Sequence, residues 1–261
     1  MTVAATFEIE YLQYLGPDGR FVAEPPADLA DPQRILDLFK EMLFVRTFDS
    51  KAIALQRTGK LGTYAACLGH EAAHVGIGAA MQKDDVFAPS YREYGAMFMR
   101  GVRPHDVLMY WGGDERGNDF EGPRNDYPWC VPISTQMLMA AGAALSFKLR
   151  KQDRIAVACC GDGGSSKTDF YAAVNSAGAY QLPLVLCVIN NGWAISVPRK
   201  AQTGAETLAQ KGLAGGLHCL QVDGNDLIAV LEGMRRALER ARNGEGGSVI
   251  EFMTYRLHDH T

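Results

Sequence analysis

Apolar positions along this chain change period several times, and each change marks an element. Residues 155–160 are a short apolar run, and residues 184–189 are another, rich in β-branched and aliphatic side chains. Between them lies Gly161-Asp162-Gly163, followed by a helical pattern, so the stretch reads as strand, turn, helix, strand. A crossover of this kind makes its two strands parallel. Asp162 and Asn191 then emerge together at carboxyl strand ends, the edge where open α/β sheets bind ligands.

The flanks extend the same alternation. Asp31-Pro32 caps a helix predicted to run to Lys60, with a kink or break expected near Arg46-Thr47. Residues 71–81 read as an Ala- and Gly-rich helix. A short strand ends at Pro89, and Tyr91 and Arg92 are expected to open the helix after it. A brief helix spans 104–112, an irregular glycine-rich loop 112–129, and a helix rich in small residues follows Gln136. Downstream come a loop over 190–216 with a helical stretch at 207–211, a strand at 219–222, an amphipathic helix at 226–242 and a strand at 248–255. Repeated βα units predict a doubly wound, mostly parallel sheet with helices on both faces. Residues 1–30, with Gly16-Pro17-Asp18-Gly19 and Pro25-Pro26, read as an arm lying on a neighbour, and 31–261 as one α/β domain.

Composition sharpens this little but excludes much. With 47% hydrophobic and 21% charged residues the chain is ordinarily globular. A net charge of −4 without a basic run argues against nucleic-acid or membrane-surface partners. No window has the roughly 18 successive apolar residues of a membrane span, and the start lacks a signal sequence, so a cytoplasmic protein is expected. Six cysteines without a CxxC pair read as small buried residues.

The chemistry concentrates at the two strand ends. A carboxylate at 162 and an amide oxygen at 191 are hard ligands suited to magnesium, which normally shares its coordination with substrate phosphates and water. Gly161 and Gly163 let the backbone approach a ligand, and the amides of the following helix are expected to face an anion. Tyr91 and Arg92 add a planar five-donor cation suited to phosphate.

GDG, a helix and NN at this spacing resemble the thiamine-diphosphate motif. The flanking segments at 56–76, 89–95 (PSYREYG), 131–136 (VPISTQ), 221–230 (QVDGNDLIAV) and 254–260 (TYRLHDH) resemble one family: the alpha subunit of the decarboxylating component of 2-oxo acid dehydrogenase complexes, of the pyruvate and branched-chain types. The resemblance implies the diphosphate-binding half of a thiamine-diphosphate-binding fold. Asp162, Asn191 and the carbonyl of Trp193 would hold magnesium, and Tyr91 and Arg92 would contact the diphosphate. Val131 and Ile133 would face the pyrimidine and substrate end. Arg256 and His260 would stand on the cofactor side, His260 serving acyl transfer to a lipoyl group, since an imidazole exchanges protons near neutrality. Pro132, Thr135 and Gln136 resemble a potassium loop. Activation of the cofactor needs a carboxylic acid against its pyrimidine ring, and no motif here supplies one. In the family a glutamate of the beta subunit does, which implies an α2β2 heterotetramer and a lipoyl-bearing acyltransferase as partners.

Some positions depart from the family. Ile189 and Val131 stand where branched-chain members tend to have arginine and serine. The family continues beyond the equivalent of Thr261, so a C-terminal part is expected to be absent and the loop carrying His260 to lack support. Two rivals share the features. GDGGSSKT at 161–168 is one residue from the phosphate-loop pattern, with Lys167 on a nucleotide and Thr168 on magnesium. A catalytically inactive scaffold subunit is the other.

Overall fold

The computed structural model describes residues 2–261. Along the chain come β1 (Glu10–Leu12), α1 (Pro32–Arg57), α2 (Glu71–Ala80), β2 (Val86–Ala88), α3 (Tyr94–Met99), α4 (Pro104–Trp111), α5 (Thr135–Leu149), β3 (Ala156–Gly161), α6 (Thr168–Ala179), β4 (Leu184–Asn190), β5 (Trp193–Ala194), β6 (Val197–Pro198), α7 (Arg199–Gln202), β7 (His218–Asp223), α8 (Leu227–Arg242) and β8 (Ser248–Met253). Single-turn 3₁₀ segments lie at Glu115–Asn118 and Gly163–Ser166, and a longer one at Ala209–Gly215.

Six strands form one sheet in the order β1-β7-β8-β4-β3-β2, every neighbouring pair parallel. The apolar runs at β3 and β4 are continuous because both sheet faces are covered. Successive residues feed opposite layers. Val157, Cys159, Val185 and Cys187 pack into the core formed with α1, α2 and α8, whereas Ala156, Ala158, Leu184 and Leu186 pack against α5 and α6. This is the doubly wound α/β architecture that the element pattern predicts. All six cysteines are free, and five are buried. No helix among the described residues is long and apolar enough to cross a membrane.

Three expectations change. Residues 10–12, inside the segment read as an arm on a neighbour, are instead the edge strand of this chain's own sheet, with Glu10 opposite Leu220. Asp226 secures the segment: one carboxylate oxygen caps α8 at Ile228 and Ala229, and the other accepts from the amides of Tyr14 (2.6 Å) and Leu15 (2.7 Å). α1 runs unbroken through Arg46 and Thr47; the Thr47 hydroxyl donates back to the Leu43 carbonyl at 2.8 Å, a bond that the helix accommodates although such back-bonding often bends helices. Finally, a 3₁₀ turn separates Asp162 from α6, so the amides after the Gly-Asp-Gly turn are not the first turn of that helix.

Candidate active site

The register of the central strands sets the site. Gly161 on β3 is paired with Ile189 on β4, so Asp162 and Asn191 leave neighbouring strands at one edge and both line a cavity of about 390 Å³. Asp162 is 1% exposed and forms no ion pair among the described residues. Its Oδ2 accepts from Gln202 Nε2 at 2.9 Å. Burial pushes its carboxyl above the usual range, against the pull of that hydrogen bond. A buried carboxylate without a cation is costly. The Asn191 side-chain oxygen accepts from the Trp193 amide at 3.1 Å and keeps a second lone pair free, and Trp193 also lines the cavity. No group of three or more His, Cys, Asp or Glu placed to hold a metal ion occurs among the described residues, so an ion here would rest on one carboxylate and neutral oxygens. That donor set fits magnesium.

Arg92 and Arg256 line the same cavity. Arg92, 6% exposed, donates to the Ala66 carbonyl, to the His260 carbonyl at 2.9 Å and toward His260 Nδ1 at 3.3 Å. Arg256 approaches the same Nδ1 at 3.3 Å and donates to the Ile195 carbonyl at 2.8 Å. Neither guanidinium has a carboxylate partner among the described residues, and their convergence on one wall fits an anion. Burial, then Arg92 and Arg256, lower the pKa of His260. With Nδ1 accepting from two guanidiniums, the imidazole is neutral with its proton on Nε2. Tyr91 lies edge-on to His260 at 6.3 Å.

The segment carrying His260 is held, contrary to the expectation that it lacks support. Thr254 N donates to the Asn190 carbonyl (2.9 Å), Arg256 N to Asn191 (3.1 Å) and Leu257 N to Leu68 (3.2 Å). Tyr91 and Arg92 do not open a helix. α3 starts at Tyr94, and the two residues sit in the preceding turn, where Glu93 accepts from the amide (2.8 Å) and hydroxyl of Ser90.

Of the other expected residues, Gly161, Gly163, Ile133 (42% exposed) and Gln136 line the cavity, while Val131, 44% exposed, lies outside its wall. Gln136 donates to the Cys159 carbonyl at 2.5 Å, and its own oxygen is buried without a partner. The Pro132 carbonyl accepts from Thr135 N at 3.4 Å and from the Cys130 thiol at 3.5 Å. The phosphate-loop reading meets a physical obstacle. Ser165 N donates to Asp162 O and Lys167 N to Gly164 O, so two of the loop's amides are spent within the turn and are not free to cradle an anion.

Sequence reasoning misses the residues that hold the two strand ends together. Glu251 on β8 accepts from Asn190 Nδ2 (2.7 Å), Leu208 N (2.8 Å), Ala209 N (3.1 Å) and Gln221 Nε2 (3.0 Å). The segment so fixed carries Lys211, whose ammonium donates to the carbonyl (2.9 Å) and hydroxyl (2.8 Å) of Ser165. The Ser165 hydroxyl in turn donates to the Asp162 carbonyl at 2.7 Å. Ser134, in the left-handed region at φ 67°, pins the same turn through Gly164 O at 2.6 Å. A lone glutamate inside the apolar run SVIEFM is the one signal that could have revealed this network. Lys211 carries none.

Residues 39–261 match the family described as dehydrogenase E1 component. The chain is 38% identical over 244 residues to the pyruvate dehydrogenase E1 component subunit alpha of Acholeplasma laidlawii, covering 94% of this chain and 71% of that protein. It is 39% identical over 255 residues to the protein of the same name from Staphylococcus aureus, covering 97% and 69%. The Staphylococcus epidermidis protein is similar to the same degree.

Proposed function

The chain belongs to the dehydrogenase E1 component family, and from that premise we propose that it is the alpha subunit of a thiamine-diphosphate-dependent 2-oxo acid dehydrogenase acting on pyruvate or a branched-chain 2-oxo acid. One observation carries the reading. A cation-seeking pair, Asp162 and Asn191, and an anion-seeking pair, Arg92 and Arg256, face one cavity, which is what a magnesium diphosphate requires. Asp162, the Asn191 amide oxygen and the Trp193 carbonyl hold the magnesium. Arg92, Arg256 and Tyr91 take the diphosphate oxygens, and Ile133 forms an apolar wall toward the substrate. Pro132, Thr135 and Gln136 are the candidate potassium loop.

Thiamine diphosphate, when bound, supplies the carbon nucleophile that attacks the 2-oxo group and accepts the electrons released with carbon dioxide. His260 holds a proton on Nε2 while two guanidiniums occupy Nδ1. Through that N–H it would hydrogen-bond the lipoyl sulfur on which charge develops as the acyl group is transferred to the other sulfur, that sulfur taking its proton from solvent. The carboxylic acid that activates the pyrimidine comes from a beta subunit, so the site completes only in an α2β2 assembly.

The test is reconstitution with a beta subunit, thiamine diphosphate, magnesium and either pyruvate or a branched 2-oxo acid, following reduction of an artificial electron acceptor. Turnover with one of these acids is expected. Its absence with every 2-oxo acid tried would favour an inactive scaffold subunit.

A further inference from the structure

His70 and His74 open α2 four residues apart, on one face of the helix. Both are fully buried, and none of their four ring nitrogens has a hydrogen-bond partner. Buried polar atoms nearly always have one. The nearest carboxylate in sequence, Glu71, is turned away to Gly69 N (3.0 Å) and Arg46 (3.0 Å). A metal ion shared by the pair is excluded, because no third His, Cys, Asp or Glu completes a cluster among the described residues. The two ring centroids are 5.3 Å apart and the rings meet edge to face, with no hydrogen bond between them. His70, which lines the same cavity as Arg92 and Arg256, therefore has both ring nitrogens without any protein partner.

The backbone preceding this imidazole is fixed to the segment that carries Arg256. Gly69, at φ 95°, lies so close that a Cβ there would be 2.2 Å from the Tyr255 carbonyl. Its own carbonyl accepts from the Thr254 hydroxyl at 2.5 Å. His70 and Arg256 are therefore mounted on one rigid junction, as ligand-binding groups need to be. Burial, His74 and the two guanidiniums keep His70 uncharged, so it offers a directional donor without adding a third positive charge to the wall.

We propose that His70 is a further ligand-contacting residue of this cavity, an imidazole that donates a ring N–H to an anionic oxygen of the bound diphosphate. The inference rests on the thiamine diphosphate reading and adds to it a neutral donor beside the two cationic ones.

Calorimetric titration of magnesium thiamine diphosphate into the alpha chain assembled with its beta subunit tests this without turnover. His70→Leu, which keeps volume and loses the donor, is expected to bind about tenfold or more weakly, the scale of a lost hydrogen bond to a charged group. His70→Gln, which restores an N–H, should stay within about threefold of the unaltered protein. On the unaltered assembly, deuterium exchange at the His70 imidazole C2, read by mass spectrometry, should slow on saturation, and this decides the matter alone if the leucine variant does not assemble. Unaltered affinity in a folded His70→Leu assembly, or C2 exchange indifferent to the ligand, overturns the proposal. Failure of the unaltered assembly to bind the ligand at all would instead overturn the functional reading beneath it.

Discussion

Glu251 Oε1 accepts a 2.7 Å hydrogen bond from Asn190 Nδ2, joining β8 to the end of β4 one residue before the candidate metal ligand Asn191. The other oxygen holds the amides of Leu208 and Ala209 and the side chain of Gln221, so one buried carboxylate satisfies four neutral donors. Glu251→Ala leaves at least two of them buried and unpaired and should lower unfolding stability by about 3 kcal/mol or more. Glu251→Gln should cost about 1–2 kcal/mol. Urea denaturation checks both, and a loss under about 0.5 kcal/mol for the alanine variant, the scale of an ordinary surface substitution, would contradict the network.

Lys211 acts one step further on, through Ser165 on the turn that carries Asp162. Lys211→Met keeps the apolar stem and removes the donors. We expect magnesium thiamine diphosphate to bind the assembled variant about tenfold more weakly, with little change in the size of the folded core. Calorimetry reads the affinity and circular dichroism the fold.

Gly163 lets the β5–β6 hairpin close over the same turn. A Cβ at 163 would sit 2.6 Å from Ala194 Cβ, closer than packed carbon atoms tolerate. Gly163→Ala should therefore weaken ligand binding, and the double variant with Ala194→Gly should recover most of the loss, because the clash is pairwise. Affinities of the single and double variants give the comparison.

His74 makes stability depend on acid in a defined direction. Burial, then Arg92, lower its pKa to about 3, against roughly 6.5 for the unfolded chain. As pH falls below 6.5 the unfolded state binds a proton that the folded state refuses. Stability is lost across the window from about 6.5 to 3, at about 1.4 kcal/mol per pH unit. His74→Gln has no such proton, so the stability advantage of the unaltered protein over this variant should shrink by about that amount per unit between pH 6 and 4. Denaturant unfolding at several pH values measures it; a difference independent of pH would contradict a neutral buried His74.

Much of this was legible because it is periodic. The apolar runs at β3 and β4 and the helix between them gave the parallel pair, and the Asp162 and Asn191 strand ends followed from it. β1 was not legible, since three residues of edge strand carry too short an alternation, and what secures them is a carboxylate more than two hundred positions away, Asp226. The unbroken course of α1 through Arg46-Thr47 and the 3₁₀ turn after Asp162 turn on local hydrogen bonds that periodicity does not encode. Glu251, Lys211 and His70 lie far apart in the chain; His70 lines the cavity, whereas Glu251 and Lys211 act on it from behind, through Asn190 and Ser165.

The central claim is that Asp162 holds a magnesium diphosphate. The direct measurement is the affinity of the assembled alpha and beta chains for magnesium thiamine diphosphate, with and without Asp162→Ala. Loss of a carboxylate from a site with one charged ligand should weaken binding by about a hundredfold or more, corresponding to about 3 kcal/mol. Unchanged affinity in a folded, assembled Asp162→Ala variant would contradict the assignment.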